Sequence, residues 1–425
     1  MTDAEIRPIT AAETVDFLRI VPSYAGTPNW EPEPAAWHAG VGVAPPFGSR
    51  AGEDQLRAAA ARFTDLDRTQ AAYADGRMVG TSQLLSLRLT VPGAGPVPMG
   101  GVTCVGVLPT YRRQGLLTAM MRAMLDDCRE RGEALAALSA SSGGIYGRYG
   151  FGPATYTIRW ELDRPGARLA RPQDRLGRIE LVDAATALAA FAALHDQVRA
   201  TRIGEVSAYP GFWDHRGSQD SQFLLHYDAA GRVDGAADYR TPWSPDPATA
   251  GTVQVDRLEA ASAGAYTDLW SFLTTLELTK RVVAAKRPVD EPLRWQLADS
   301  RALRITRQSD DLWVRLVDLP AALAGRTYQV SRRLVIEVTD PFCPWNEGCW
   351  VLDGGPDGAH CTRAVTGARP DLSLDAATLG SAYLGATPLG SLAAAGLVHE
   401  HVSGALARAT AMFAQPRAPH NAIGF

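Results

Sequence analysis

The sequence predicts a mixed α/β fold of the α+β kind, made of two related units and a third of different pattern. Three observations carry this prediction. Residues 5–160 alternate strands and helices, and the order then starts again near residue 178. From about residue 299 the pattern changes to closely spaced alternating strands followed by short helices. A chain of 425 residues has room for about three domains. The boundaries expected are 1–160, 161–298 and 299–425.

In the first unit, "IRPI" reads as a short strand and residues 11–20 as a helix. A hairpin follows, turned at Asp75-Gly76 between β-rich runs, because that dipeptide suits the positive φ angles of a tight turn. The strand "MGGVTCVGV" leads into "VGVLPTYRRQGLL" (residues 105–117). After it, Leu116, Leu117, Met120, Met121, Met124, Leu125 and Cys128 recur at helical spacing, and Gly132 can close the helix. "ALAALSAS" reads as a buried strand, and "GGIYGRYGFGPAT" as a glycine-rich turn around a short helix.

Residues 163–178 lose apolar periodicity and read as a linker. "RIELVDAATALAAFAALHDQVRA" then repeats the opening strand–turn–helix order. A hairpin at "QFLLHYDAAGRVDGAADY" follows, and "TVQVDRLEA" runs into the helix "AYTDLWSFLTTLEL". This second copy has no arginine–glycine turn at its strand-to-helix junction, so it is expected to be chemically silent. In the third unit "LWVRLVDL", "TYQVSRRLVIEVTD" and "GCWVLDG" are strands, and "LDAATLGSAYL", "PLGSLAAAGLV" and residues 401–413 are helices.

Composition narrows the function class. Hydrophobic residues make up 46% and charged residues 21%, as in ordinary globular proteins. A net charge of −4 gives no reason to expect a nucleic acid or an anionic membrane as partner. Five cysteines, an odd number without a C-x-x-C pair, argue against a disulfide framework and for a reducing cytoplasm. "MTDAEIRPIT" lacks the basic and apolar stretches of a secretory signal, and no run approaches the roughly 18 apolar residues of a spanning helix. "HEH" at His399–His401 lacks the H-E-x-x-H spacing, so no metal is expected.

The junction at 105–117 suits a diphosphate. A helix N-terminus supplies free backbone N–H groups and the positive end of the helix dipole. Gly115 lets a ligand come close, and Arg112 and Arg113 add charge-assisted contacts. The strand Val105, Gly106, Val107 can pair with an extended, amide-bearing ligand. A solvated turn capping an amphipathic helix would use the same residues. Competing nucleotide motifs are missing: there is no G-x-x-x-x-G-K-[ST], and no G-x-G-x-x-G follows a predicted strand.

The junction resembles motif A of the GCN5-related N-acetyltransferases (GNAT), Q/R-x-x-G-x-G/A, with Arg112, Gly115 and Leu117 in its three defined places. Leu117 departs from the usual Gly/Ala. In "GGIYGRYGFGPAT", a tyrosine is protonated at neutral pH and can serve as a general acid. Tyr146 is the candidate and Tyr149 the fallback, and core packing with satisfied hydroxyls is the alternative for both. Together with "DLSLDAATLGSAYLGA" and the terminal "NAIGF", these segments resemble the Eis family of acetyltransferases, in order, over essentially the whole chain.

The resemblance implies two fused GNAT domains, the second degenerate, then a sterol-carrier-protein-like domain, with six subunits per assembly. It implies acetyl-CoA as co-substrate and small-molecule amines as acceptors, notably aminoglycosides and sometimes protein lysines. Carried over by motif, the acetyl-CoA site comprises Val105, Gly106, Val107, Arg112, Arg113, Gln114, Gly115, Leu116, Leu117, Thr118, Ser141 and Ser142. Tyr146 takes the general-acid place, and the carboxylate of Phe425 that of the general base. An α-carboxyl has a pKa near 3.5, which burial would raise, and a bridging water could relay the proton.

Two departures bear on the acceptor. Family members that bind polycations carry an acid just before the final phenylalanine, where this chain has Gly424, and another beside the glycines, where it has Ser142. Tyr24, Trp30 and Trp37 are candidate walls of the amine pocket, which is expected to favour a less cationic or more apolar amine. The rival expectation is a binding protein whose third unit carries an apolar ligand and whose transferase site has lapsed.

Overall fold

A computed structural model describes residues 4–23, 64–171, 177–213, 220–246 and 250–425. The candidate wall residues Tyr24, Trp30 and Trp37 lie outside the described residues. Two seven-stranded sheets and one five-stranded sheet organise the rest. The first sheet runs, edge to edge, through Glu5–Arg7, Thr69–Ala74, Arg77–Val91, Gly95–Val107, Leu135–Ser139, Leu312–Leu316 and Gly152–Pro153. The expected hairpin turns where predicted, with Asp75 at φ 51° and Gly76 at φ 72°. Both angles match the right-handed twist of the flanking strands.

The helix Leu116–Glu130 covers one face of this sheet and buries Leu116, Met120, Met121, Met124, Leu125 and Cys128, while Leu117 is half-buried. Its end is a Schellman motif. Gly132 sits at φ 71°, its N–H donates to the Arg129 carbonyl, and the Glu133 N–H donates to the Cys128 carbonyl at 2.8 Å.

The second sheet repeats the first. Its order is Arg178–Val182, Gln222–Tyr227, Val233–Arg240, Thr252–Ala260, Arg281–Pro288, Tyr156–Asp163 and Leu303–Asp310. Each strand has a counterpart at the same place in the first sheet, and in both the fourth and fifth strands are parallel. The helices Ala184–Arg199 and Ala263–Thr275 stand where Thr14–Ser23 and Leu116–Glu130 stand in the first unit.

The sixth strands are exchanged. Tyr156–Asp163, which straddles the expected boundary at residue 160, pairs with Arg281–Pro288 in the second sheet. Leu312–Leu316, expected with the third unit, pairs with Leu135–Ser139 in the first. The exchange is reciprocal, so each sheet is completed by a strand from beyond the other. Alternation in "LWVRLVDL" marks a strand but says nothing about its partner.

The third sheet runs Gly358–Arg363, Gly348–Gly355, Arg332–Thr339, Leu372–Asp375 and Val398–Glu400, flanked by the helices Ala376–Tyr383, Leu389–Ala394 and Ala405–Phe413. Its apolar residues share one core with the face of the first sheet opposite Leu116–Glu130, including Leu87, Leu135, Ala137, Leu334, Leu379 and Phe425. A buried pair, Arg315 with Asp340 at 2.6 Å, ties the exchanged strand to this third unit. Among the described residues, no helix is long and apolar enough to cross a membrane.

Candidate active site

The first sheet opens into a cleft between its two parallel strands. Met99, Gly100 and Gly101 pair with Leu135, Ala136 and Ala137, and no further. Beyond Gly101 the strand Gly95–Val107 stays with its antiparallel neighbour Arg77–Val91, whereas Leu138 and Ser139 follow Trp313 and Leu312. A bulge helps to turn the first strand aside. Cys104 lies at φ 53° where the register shifts between Thr81 and Gln83, and the Thr81 hydroxyl donates to its carbonyl at 2.9 Å. Past the divergence, Val105, Gly106 and Val107 have no strand partner on the cleft side among the described residues.

The turn after this strand has the geometry of an anion-binding concavity. Arg113 lies at φ 64° and Gly115 at φ 86°, so left-handed residues bracket Gln114 just before the helix. Gly115 has no side-chain cap, and a Cβ built on it would meet nothing within 4 Å. Its glycine therefore serves the backbone angle and leaves open space beside the helix N-terminus. The first helical bond is Ala119 N–H to the Gly115 carbonyl at 3.0 Å, which leaves the N–H groups of residues 116–118 without intrahelical acceptors. Arg112 and Arg113 are exposed, and the Arg112 Nε donates to the Val107 carbonyl at 3.4 Å. Leu116 and Leu117 turn their side chains toward the core, so each can offer only backbone to a ligand.

Across the cleft, Ser141 and Ser142 are exposed at the end of the fifth strand, ahead of the short helix Gly143–Tyr146. Tyr146 is 6% exposed and belongs to the apolar cluster that also holds Val102 and Leu138, one from each diverging strand. Burial pushes its hydroxyl pKa up, and a hydrogen bond with the Ser141 side chain offsets part of that rise. It therefore stays protonated through neutral pH. Tyr149 is different. Its hydroxyl shares a hydrogen bond with the Thr118 Oγ1 at 3.2 Å, and its ring packs edge-on to Phe342 at 5.0 Å. Both Tyr149 and the Thr118 side chain are thereby engaged.

The glycines of this stretch have separate causes. Gly150 lies at φ 83°, and a Cβ there would be 2.2 Å from the Arg315 guanidinium. One on Gly152 would be 1.9 Å from the Ala377 carbonyl oxygen. The turn is thus pressed between the exchanged strand and a helix of the third unit.

Phe425 is 3% exposed and lies on the other side of the sheet. Strand alternation makes this clear. A Cβ on Gly100 would strike Cys128 of the helix at 2.4 Å, whereas one on Gly101 would meet Leu87 and, at 3.1 Å, the Phe425 ring. Tyr146 belongs to the core of the helix face, and Phe425 to the core of the opposite face. The two flank the point where the strands part.

Sequence reasoning named Phe425 but missed its seat. Gly100-Gly101 inside a strand was the available signal, since glycine there marks close approach of another group. It also missed half-buried Arg202 and the buried carboxylates Glu205 and Glu259, a cluster that meets the tail at Ala422, and no local pattern announces them. Among the described residues, no group of three or more His, Cys, Asp or Glu could hold a metal. His401 instead shares a hydrogen bond with Ser373 at 2.8 Å.

Comparison with known proteins gives the site its context. Acetyltransferase (GNAT) domain models match residues 5–154 and 204–316, and a sterol carrier protein domain model matches residues 319–422. An uncharacterised N-acetyltransferase of Streptomyces coelicolor is 42% identical, with the match covering 82% of this chain and 86% of that one. The N-acetyltransferase Eis of Mycobacterium tuberculosis is 35% identical over 79% of this chain and 83% of its own. The crystal structure of Eis1 from Mycobacterium abscessus superposes with a TM-score of 0.82 at 32% identity, covering 99% of this chain and all of that one. A GCN5-related N-acetyltransferase from Anabaena variabilis shares the fold at 19% identity, with a TM-score of 0.81. Identity at this level along four fifths of the chain decides membership: the chain belongs to the Eis family of GCN5-related N-acetyltransferases, enzymes that transfer an acetyl group from acetyl-CoA to nitrogen.

Proposed function

We propose that the first cleft acetylates a small-molecule amine by direct transfer, with Tyr146 as general acid and the Phe425 carboxylate as general base. The observation that carries this is the placement of the two residues on opposite faces of the sheet, at the point where its strands diverge. Acetyl-CoA lies through that opening. Its diphosphate rests on Arg112, Arg113, Gln114, Gly115 and the amides of Leu116, Leu117 and Thr118, its amide-bearing arm along Val105–Val107, and its far side against Ser141 and Ser142. The open space at Gly115 and the unpaired amides fit an anion at that place.

The amine enters on the Phe425 face. The carboxylate accepts a proton from it, directly or through a water, and the nitrogen forms the new C–N bond at the thioester carbonyl. Strand amides near Val105 steady the negative oxygen. As the C–S bond breaks, Tyr146 gives its proton to the sulfur on the helix face. A hydroxyl kept neutral by burial is suited to that task.

Within this reading, residues 1–160 hold the chemistry, 161–298 form a silent copy and 299–425 bring Phe425 to the cleft. The acceptor is an aminoglycoside-like amine or another polyamine, or else a protein lysine. Gly424 and Ser142 favour the less cationic members of that set. A homo-oligomer of six subunits in the cytoplasm completes the proposal by family likeness. The test is thiol release from acetyl-CoA against a panel of aminoglycosides, polyamines, arylalkylamines and lysine peptides. Turnover with small amines is expected, and silence across the panel would overturn the assignment.

A further inference from the structure

The second sheet has its own cleft, and the chain's own tail forms part of its wall. Thr252–Val255 pair in parallel with Arg281–Ala284, and beyond them the strands separate as they do in the first sheet. The opening is lined by His195, Glu259, Lys286, His420, Ala422 and Ile423, the last three from the tail that ends at Phe425. We propose that this second cleft is the seat of the tail, and that Arg202, Glu205, Glu259, Lys286 and Asp311 are positioning residues for the Phe425 carboxylate. The inference rests on the assignment of that carboxylate as the general base.

Residues 202–207 form the hub. The Glu205 carboxylate, fully buried, accepts the Ala422 N–H at 2.9 Å, and the Ile203 carbonyl accepts the His420 N–H at 2.9 Å. Arg202 donates to Glu205 at 3.0 Å and to both oxygens of Glu259 at 3.0 and 2.8 Å. Burial alone would raise the Glu259 carboxyl pKa, but Arg202, His195 and Arg287 outweigh it and hold the group below its usual value. The same segment is hydrogen-bonded to the first sheet through Glu205 carbonyl to Thr90 N–H at 2.9 Å and Ser207 N–H to Arg88 carbonyl at 2.9 Å. One short stretch therefore links the first sheet, the second cleft and the tail.

The tail is held from its other side as well. Lys286, one of only two lysines in the chain, pairs with buried Asp311 at 3.2 Å, and burial raises the Asp311 carboxyl pKa against the opposing pull of Lys286 and the nearby Asn421 side chain. Asn421 donates to the Ile423 carbonyl, bracing the backbone two residues before the end. Gly204, at φ 87°, allows the approach: a Cβ there would lie 3.1 Å from the His420 nitrogen. Such a set fixes backbone rather than substrate. Its product is the position of a carboxylate that must lie within a hydrogen bond of the amine or of a bridging water.

The test compares Glu205→Ala, Glu205→Gln and Asn421→Ala with a chain extended by one glycine after Phe425. Misplacement of a base by about 1 Å lowers kcat about 10²-fold while acetyl-CoA affinity stays within about twofold of the native value. Glu205→Ala and Asn421→Ala are expected to show that split, with kcat partly restored by formate or acetate in the assay. Glu205→Gln, whose amide oxygen can still accept the Ala422 N–H, should keep most of the activity. A drop without rescue, or with loss of acetyl-CoA binding, would reduce the cluster to a structural one and overturn the inference. Loss of activity on extension, with Glu205→Ala and Asn421→Ala active to within about twofold, would overturn it while leaving the terminal base standing. Full activity after extension would remove Phe425 from the mechanism and the inference with it. Should Glu205→Ala fail to fold, Asn421→Ala decides.

Discussion

The two clefts are built from the same ladder and differ in how the chain continues beyond it. In both sheets a short parallel pairing ends and the strands part. The first strand then runs through a turn at residues 108–115 with two left-handed residues, and its helix begins uncapped at Gly115. In the second sheet the strand ends at Ala260, and Ser262 caps the helix at once, its Oγ accepting the Ala265 N–H at 3.0 Å and donating to Asp234 at 2.6 Å. The helix of the second unit thus has one of its first amides, that of Ala265, satisfied by a side-chain cap, which the helix at Gly115 lacks. The openings differ in the same sense: one is flanked by Tyr146 and Phe425, the other holds charged pairs and the tail. On the proposed reading, a duplicated fold has separated into a unit for chemistry and a unit for holding a chain end.

The comparison can be broken in several places. Tyr146→Phe removes the proposed acid from the first cleft and should lower kcat about 10²- to 10⁴-fold with little change in acetyl-CoA affinity. The native enzyme should keep its acid protonated as pH rises, because burial raises the hydroxyl pKa, so the alkaline fall in kcat is displaced upward from the ordinary tyrosine range. Steady-state rates against pH check both statements.

The exchanged strands offer the next test. Arg315 on Leu312–Leu316 is fully buried against Asp340, whereas its counterpart strand is anchored by Trp160, whose Nε1 donates to Glu291 at 3.1 Å. Arg315→Ala leaves buried Asp340 without its cation, with only the Cys343 N–H and Asn346 Nδ2 still donating to it, at a cost of about 3–5 kcal/mol in denaturant unfolding.

The helix junctions sharpen the contrast further. Gly115→Val forces a β-branched residue to a left-handed angle, a strain of about 1–2 kcal/mol, and should weaken acetyl-CoA binding by calorimetry. Ser262→Ala should cost about 1 kcal/mol of stability through the lost cap and leave acetyl-CoA binding unchanged. An equal binding loss at both junctions would erase the distinction between the units.

A further effect concerns pH. Burial, then Arg202, Arg287 and Lys286, hold the His420 pKa well below its usual value, with Glu259 and His195 also lining that cleft. The unfolded chain takes up a proton near pH 6.5 that the folded chain refuses, so stability falls as pH drops below that value, by up to about 1.4 kcal/mol per unit. His420→Asn should flatten that acid slope in thermal unfolding.

Much of this was legible in the sequence. Asp75-Gly76 announced a hairpin, the Leu/Met stripe of 116–128 a helix face, and Arg113 with Gly115 the open junction. Local pattern reports what an element is and which way it faces. Partners are another matter. Tyr156–Asp163 and Leu312–Leu316 exchange sheets because of contacts far apart in sequence, which alternation does not encode. The tail's seat was hidden for the same reason, since Arg202 meets Glu259 across 57 residues of sequence and Glu205 meets Ala422 across 217. Tyr149, the fallback acid, has its hydroxyl engaged with Thr118, 31 residues away, a contact that no local pattern announces.

The central claim is that the first cleft works with an acid on one face of the sheet and the Phe425 carboxylate on the other. The most direct measurement is thiol release from acetyl-CoA by the native chain and by one bearing a single added glycine after Phe425. The account predicts turnover in the native chain and its collapse by about 10²-fold or more on extension, with acetyl-CoA binding intact. Equal rates in the two chains would contradict it.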